Sequence, residues 1–507
     1  MDAIIGALGL IADPYVLLLI CLASAFGLFV GAMPGLTATM ATALLVPVTF
    51  FMPPIPAMAV IVTASAMAIF AGDIPGALLR IPGTPASAAY TEEAYAMTAK
   101  GQAETALGAG VVFSAIGGIF GTLVLATSAP ALAEVALRFS SFEYFWLVCL
   151  GLTCAVFIAQ ADLVKGMLAL FIGLGVALIG VENPAGLPRF TFGFTAMLSG
   201  VELIPAMVGM FAIAEVLRVM SAAVIRLPPA HTVSGSIFRG QWALARRYPL
   251  QILRGSTVGT LIGALPGAGA DIASYITYAT AKRFSKEPEK FGTGHPEGIV
   301  ESGAANNAAV SGAWIPALVF GIPGDSITAI VIGVLYIKNI IPGPMVFVNQ
   351  PQVVTGIFVL FLVANLVMVP FGWVAIKLAK RILQVPREIL MPLVLLFCIV
   401  GAFAVTNSPF AIGVMLVFGV VGFVMEEHGF PIAPVILGLI LGPMLEQNFV
   451  TSMIKTDGSF LGFFQRPIAG ALGAVTLLVW GLMAWQGVRA LRKRRSAPED
   501  ADQLQMR

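Results

Sequence analysis

Hydroxyl, amide and carboxylate side chains able to hold a small cation or an organic anion gather at four places in this chain, each beside a Pro-Gly pair. Thr37, Thr39 and Thr42 follow Pro34-Gly35, and Thr84 and Ser87 follow Pro82-Gly83. Asp271, Ser274 and Thr277 follow Pro266-Gly267, and Asp325, Ser326 and Thr328 follow Pro323-Gly324. Proline removes a backbone donor and glycine weakens a helix, so each pair predicts a helix break. A break frees carbonyls that can ligate a cation, and the next helix start presents N–H groups to an anion. Hard cations take oxygen ligands, which these side chains supply. One Ser or Thr in an apolar helix ordinarily bonds its own i−4 carbonyl; the clustering beside breaks favours a site.

The breaks are repeated. Gly31–Ala41 (GAMPGLTATMA) returns 232 residues later as Gly263–Ala273 (GALPGAGADIA), with six of eleven positions identical. Ile74-Pro75 and Ile81-Pro82-Gly83 return 241 residues later as Ile315-Pro316 and Ile322-Pro323-Gly324. Interrupted hydrophobic segments at matching places in two halves are the sequence mark of a secondary transporter's binding site. On this reading Gly35, Thr37, Thr39, Gly83, Thr84, Ser87, Gly267, Gly269 and Ser274 are substrate-binding candidates.

Other polar groups lie within apolar stretches. Asp73 and Arg80 are seven residues apart, about two helical turns, and can share a face. Either they pair, or Arg80 meets a substrate carboxylate and Asp73 serves a coupling ion. Asn306-Asn307, in a run of small residues, either bonds between helices or ligates an ion. The ion-binding candidates are therefore Asp73, Asp271, Asn306, Asn307, Asp325, Ser326 and Thr328.

These side chains need an apolar scaffold, and the composition supplies one. The 507 residues are 58% hydrophobic and only 11% charged, with net charge +2 and mean hydropathy +0.95. Soluble proteins carry about 25% charged residues. Long apolar runs fill nearly the whole length, which predicts an all-α integral membrane protein with roughly 10–14 transmembrane helices or half-helices. A barrel would show short alternating strands instead. The segments 37–51, 57–79, 268–281 and 299–320 are candidates for half-helices and re-entrant hairpins, since irregular backbone at membrane depth must be buried in protein or face water. Cys21, Cys149, Cys154 and Cys398 read as buried small hydrophobes, and no Cys/His cluster suggests a metal.

The expected organisation is a transmembrane repeat over 1–222, a linker over 223–250, a second repeat over 251–488 and a basic, polar tail over 489–507. Arg226, Arg239, Arg246, Arg247 and Arg254 mark the linker region, while Lys377, Lys380, Arg381 and Arg387 mark another basic loop. The positive-inside rule places these and the tail in the cytoplasm. Residues 1–14 hold two Asp and no Lys or Arg, which puts the N-terminus outside. Motif one is then entered from outside and motif two from inside, so the repeats have inverted topology. Glu134, Glu143, Glu182, Glu202 and Glu215 fit span ends. His231, His295 and His428 lie near no nucleophile motif, and no Walker A sequence is present, so neither an enzyme nor an ATPase is expected.

Ile81–Ser87 (IPGTPAS), Gly263–Gly269 (GALPGAG), Ala304–Ala308 (AANNA) and Gly321–Asp325 (GIPGD), in this order, resemble the large membrane subunit of tripartite tricarboxylate transporters, the TctA family. Phe284–Gly292 resembles the loop between the motifs, and the resemblance covers about residues 20–475. It implies a sodium-coupled importer of carboxylates in a bacterial inner membrane. It also implies a small membrane subunit with a few spans and a periplasmic solute-binding protein as partners, with no cofactor beyond the coupling ion. Departures lie beside the expected site. The family pattern has Gly-Ser near Gly72-Asp73, often Asn at the place of Arg80, and Pro-Glu at the place of Ser302-Gly303. They favour a carboxylate other than citrate.

The sequence therefore predicts the large permease subunit of a binding-protein-dependent, cation-coupled carboxylate importer. A proton-coupled carrier and a passive channel are the alternatives that the same residues allow.

Overall fold

The structure is a computed structural model describing residues 2–158, 163–181, 184, 186–221, 235–384 and 387–495. Among the described residues it is helical throughout, with one isolated antiparallel bridge between Gly180 and Arg189. Seven helices are long and apolar enough to cross a bilayer, and six shorter apolar helices of 10–17 residues accompany them. Proline opens many helices of the fold, including Pro14–Gly31, Pro54–Ala71, Pro249–Gly263, Pro296–Phe320 and Pro351–Ile382. In the first turn its missing N–H costs nothing. Large apolar side chains such as Leu366, Val417 and Leu478 face outward, more than half exposed. This is the surface expected where hydrocarbon replaces water. The chain is a multi-pass membrane protein.

Two helices form the centre. Every residue from Ile55 to Ala71 is buried, as is every residue from Glu297 to Val319. Each lies against the α-helix two before it in the chain, Pro14–Gly31 or Pro249–Gly263, through glycines that bring backbones into direct contact. A Cβ on Gly27 or Gly31 would lie 2.4 or 2.2 Å from the carbonyl oxygen of Ala64 or Ala68. On Gly259 or Gly263 it would lie 2.4 or 2.2 Å from that of Ala305 or Ala309. The second set is the first displaced by 232 residues in one helix and 241 in the other. The sequence repeat is thus also a repeat of close approaches.

Two of the expected half-helices are longer than anticipated. Pro54–Leu79 forms a stretch of 26 residues and Pro296–Phe320 one of 25. At 1.5 Å per residue each exceeds the roughly 30 Å hydrocarbon layer. The reason is local. Gly72 keeps right-handed helical angles (φ −59°, ψ −19°), so the break before Asp73–Leu79 is only a kink. Pro316 falls near the end of its helix, which continues to Phe320. The segments after the first Pro-Gly pairs are short, as expected: Ala38–Thr49 has 12 residues and Gly269–Phe284 has 16.

Glu93 clips the halves together. Its fully buried carboxylate accepts hydrogen bonds from the N–H groups of Gly292, Gly294 (2.7 Å) and His295 (2.8 Å) and from Tyr278 Oη (2.9 Å). Cys149 and Cys398 are buried as anticipated, but Cys154 is only half-buried and Cys21 is exposed beside Leu22. Arg226, His231, Glu182 and the tail beyond residue 495 lie outside the described residues. The basic stretch before that point continues the helix Pro467–Arg495.

Candidate functional site

Each Pro-Gly pair marks a helix end and a turn before the next helix, and at three of the four a polar side chain caps that helix; Gly269–Phe284 starts at Ala268 without a side-chain cap. Gly35 and Gly267 take the left-handed conformation (φ 90° and 85°) that their turns require. Thr37 then caps Ala38–Thr49, its Oγ1 accepting from Met40 N at 3.1 Å. At the second pair of breaks the previous helix closes on a left-handed residue, Arg80 (φ 62°) in one half and Gly321 (φ 70°) in the other. Thr84 and Asp325 follow as N-caps, and both form capping boxes. Thr84 exchanges hydrogen bonds with Ser87 (3.3 and 3.2 Å). Asp325 exchanges them with Thr328 (2.7 and 2.9 Å). Thr84 and Asp325 are 241 residues apart, as are Ser87 and Thr328.

The four breaks converge on one cavity of about 100 Å³. Thr37, Thr39 and Thr84 line it from the first half; Gly267, Gly269, Asp271, Asp325 and Ser326 line it from the second. The halves touch here, because the short helix Pro85–Ala88 packs against Gly269–Phe284. Gly269 allows the close placement of Asp325: a Cβ on it would lie 2.6 Å from the Asp325 Cβ. No Lys, Arg or His lines this cavity among the described residues. A smaller cavity of about 50 Å³ shares Gly267, Asp325 and Ser326 and runs toward Phe211 and Ile436. Phe211 belongs to a π-helical turn, Gly209–Ile213, and such turns are frequent at functional sites.

The remaining candidates lie elsewhere. Gly35 shapes its turn, and Gly83 packs on the Gly31 carbonyl oxygen and on Gly72. The Ser87 and Thr328 hydroxyls are committed to capping boxes, and Ser274 bonds the Ala270 carbonyl at 3.0 Å. Arg80 is brought to none of these. Its side chain is 59% exposed and pairs with Glu92 at 2.8 Å, because the left-handed helix end turns it outward. Asp73 and Arg80 therefore do not meet. Asn307 donates to the Ala66 carbonyl at 3.4 Å. Asp73 and Asn306 are joined through Tyr90 in a separate buried cluster.

Sequence reading missed Ile69 and Ile327, which supply apolar wall to the cavity, and Pro85, which starts the turn after Thr84. Their only signal was adjacency to the breaks. It also missed Tyr90, whose polar partners come from distant segments. Thr39 and Asp271 occupy equivalent places in the two motifs, as do Thr84 and Asp325, so one half of the cavity carries hydroxyls and the other carries carboxylates. This arrangement can hold an anion against hydroxyls and helix starts on one side. It can hold a cation against carboxylates on the other.

Known proteins place the whole chain. The family model described as "Tripartite tricarboxylate transporter TctA family" matches residues 17–437. An uncharacterized 52.8 kDa protein in the TAR-I ttuC' 3' region of Agrobacterium vitis is 32% identical over 94% of this chain and 94% of its own. An uncharacterized protein in the TAR-II ttuC' 3' region of the same organism is 34% identical over 48% of this chain and all of its own. No solved structure matches. A multi-pass helical chain whose paired helix breaks meet at one polar cavity, matched over most of its length by this family's model, belongs to the TctA family of tripartite tricarboxylate transporters.

Proposed function

We propose that this chain is the permease of a sodium-coupled importer of small carboxylates, with its site in the 100 Å³ cavity between the two sets of helix breaks. The family makes it the large subunit of a tripartite transporter. Its partners in this reading are a small membrane subunit and a periplasmic solute-binding protein that delivers the substrate to the inner membrane. The observation that carries the reading is the division of charge. Asp271 and Asp325 line the cavity and no basic side chain among the described residues does, so a polycarboxylate alone would meet repulsion. A bound cation removes that repulsion, which makes carboxylate binding depend on the cation. Thr37, Thr39 and Thr84, with the start of Ala38–Thr49, hold the carboxylate. Asp271, Asp325 and Ser326, with carbonyls of the 264–268 turn, hold sodium. Inverted topology of the repeats, with the N-terminus periplasmic and the C-terminus cytoplasmic, lets the halves exchange shapes and open the site to either side.

The test is uptake in proteoliposomes containing this chain, its small membrane partner and its binding protein, with a panel of mono-, di- and tricarboxylates. Uptake should require both an inward sodium gradient and the binding protein. Uptake indifferent to every cation gradient would overturn the reading in favour of a channel.

A further inference from the structure

A second buried polar cluster lies apart from the cavity. Asp73 opens the helix Asp73–Leu79 just past the Gly72 kink and is only 4% exposed. Its Oδ1 accepts from Tyr90 Oη at 2.7 Å, and Tyr90 Oη accepts from Asn306 Nδ2 at 3.2 Å. Both hydrogen bonds point the same way, from the second half through Tyr90 to the Asp73 carboxyl. Tyr90 and Asn306 are 1% and 0% exposed. Asp73 Oδ2 has no hydrogen-bond partner among the described residues.

The surroundings decide what Oδ2 can bind. The helix Ala103–Ala136 covers it with Gly110, where a Cβ would lie 2.7 Å from the oxygen. The same helix bears Ser114, which is bonded to the Gly303 carbonyl at 3.1 Å. The helix Pro296–Phe320 contributes Asn306, and Pro85–Ala88 brings no titratable side chain. The helix Thr91–Ala99 packs along Asp73–Leu79 with its carboxylates engaged elsewhere, Glu92 with Arg80 and Glu93 with Tyr278 and the N–H groups of Gly292, Gly294 and His295, which leaves Tyr90 as the titratable group bonded to Asp73. No basic side chain pairs with the carboxyl among the described residues. A charged carboxylate buried without a positive partner is expensive even with one donor. A metal ion needs a shell of oxygens, but the Gly110 backbone closes over Oδ2. A proton needs no such room.

Resting on the transport reading above, we propose that Asp73 is a proton-binding site that moves one proton with each substrate, in addition to the cation of the cavity. The proton binds Oδ2 from water on one side and stays there while the site is sealed. It leaves as H⁺ on the other side when movement of the halves admits water and removes the desolvation cost of the carboxylate. The link from Asn306 to Tyr90 crosses between the halves, so that movement and the protonation state of Asp73 are coupled.

The test uses the reconstituted tripartite system with a pH-sensitive dye inside the vesicles and an inward sodium gradient. Wild type should acidify the interior when substrate is added. Asp73→Asn should lose at least tenfold of that signal and flatten the pH dependence of its remaining uptake. Tyr90→Phe removes a donor that favours the charged form, so the pH midpoint of uptake should move upward. Sodium-driven uptake by wild type without acidification would overturn this proposal alone. An undiminished proton signal in Asp73→Asn, or a downward midpoint shift in Tyr90→Phe, would overturn it as well. Absence of uptake under any gradient would overturn the transport reading and this proposal with it.

Discussion

The two halves of the cavity share a backbone plan and differ in side chains. Thr37 in the first half stands where Gly269 stands in the second; Thr39 stands for Asp271 and Thr84 for Asp325. At Thr84 and Asp325 the cap remains, because Thr and Asp both accept from the N–H three residues on, whereas Gly269 has no side chain to replace the Thr37 cap. What changes is charge: three hydroxyls face two carboxylates across about 100 Å³. The repeated scaffold keeps its backbone breaks and divides hydroxyls from carboxylates between copies, which is the division the proposed function uses. The glycine contacts teach the complementary lesson. Gly31 on Ala68 and Gly263 on Ala309 have the same 2.2 Å limit, so packing is held in common where chemistry has diverged.

The largest expected effect comes from removing the charge of one half. Asp271→Asn with Asp325→Asn should lower sodium-stimulated uptake by at least about 100-fold, the scale of a lost buried charge contact of about 3 kcal/mol. Asn still caps a helix, so the protein should fold, and a melting curve checks this. Retained sodium dependence in the double variant would break the proposed division of labour. Thr84→Asp converts the hydroxyl half toward the carboxylate half while keeping a capping residue. Binding of a dicarboxylate, measured by calorimetry, should weaken by about tenfold, since like charges in a confined site cost roughly 1.4 kcal/mol or more. Tighter binding would reverse the assignment.

Packing should respond equally in both copies. Gly31→Ala and Gly263→Ala each drive a methyl group into a backbone carbonyl, and each should cost about 3 kcal/mol, read as similar drops in melting temperature in detergent. A marked inequality would show that the matching contacts do not bear matching loads. The smallest effect is expected at Arg80. Its left-handed conformation is the one glycine holds at position 321, and its ion pair is on the surface. Arg80→Gly should leave uptake within twofold and the melting temperature unchanged or slightly raised. A large loss of uptake would bring Arg80 into the site after all.

Much of this was legible in the residues. A charged fraction of 11% forces apolar helices, and a Pro-Gly pair cannot continue a helix ladder, so the helical class and the four breaks follow from local chemistry. The repeat offsets marked which breaks correspond, and of the hydroxyls and aspartates just after them Thr37, Thr39, Thr84, Asp271, Asp325 and Ser326 line one cavity. Sequence went astray where a local rule had to compete with packing. Residues 57–79 read as a half-helix candidate, yet Gly72 keeps helical angles among buried neighbours and the stretch runs on from Pro54 to Leu79. Asp73 and Arg80, at two-turn spacing, could share a face and either pair or divide substrate and ion between them, but the left-handed turn at Arg80 sends its side chain out to Glu92.

Composition and local backbone chemistry therefore determined that the chain is a membrane protein of broken helices in two related sets. Those properties depend on neighbours in sequence. Only the tertiary structure decided which polar groups share a cavity and which are sealed elsewhere. Thr39 and Asp325 are 286 residues apart yet line one space, while Asp73 meets Asn306 through Tyr90 outside it. Such meetings depend on how close the helices approach, and glycine contacts between distant backbones set that distance.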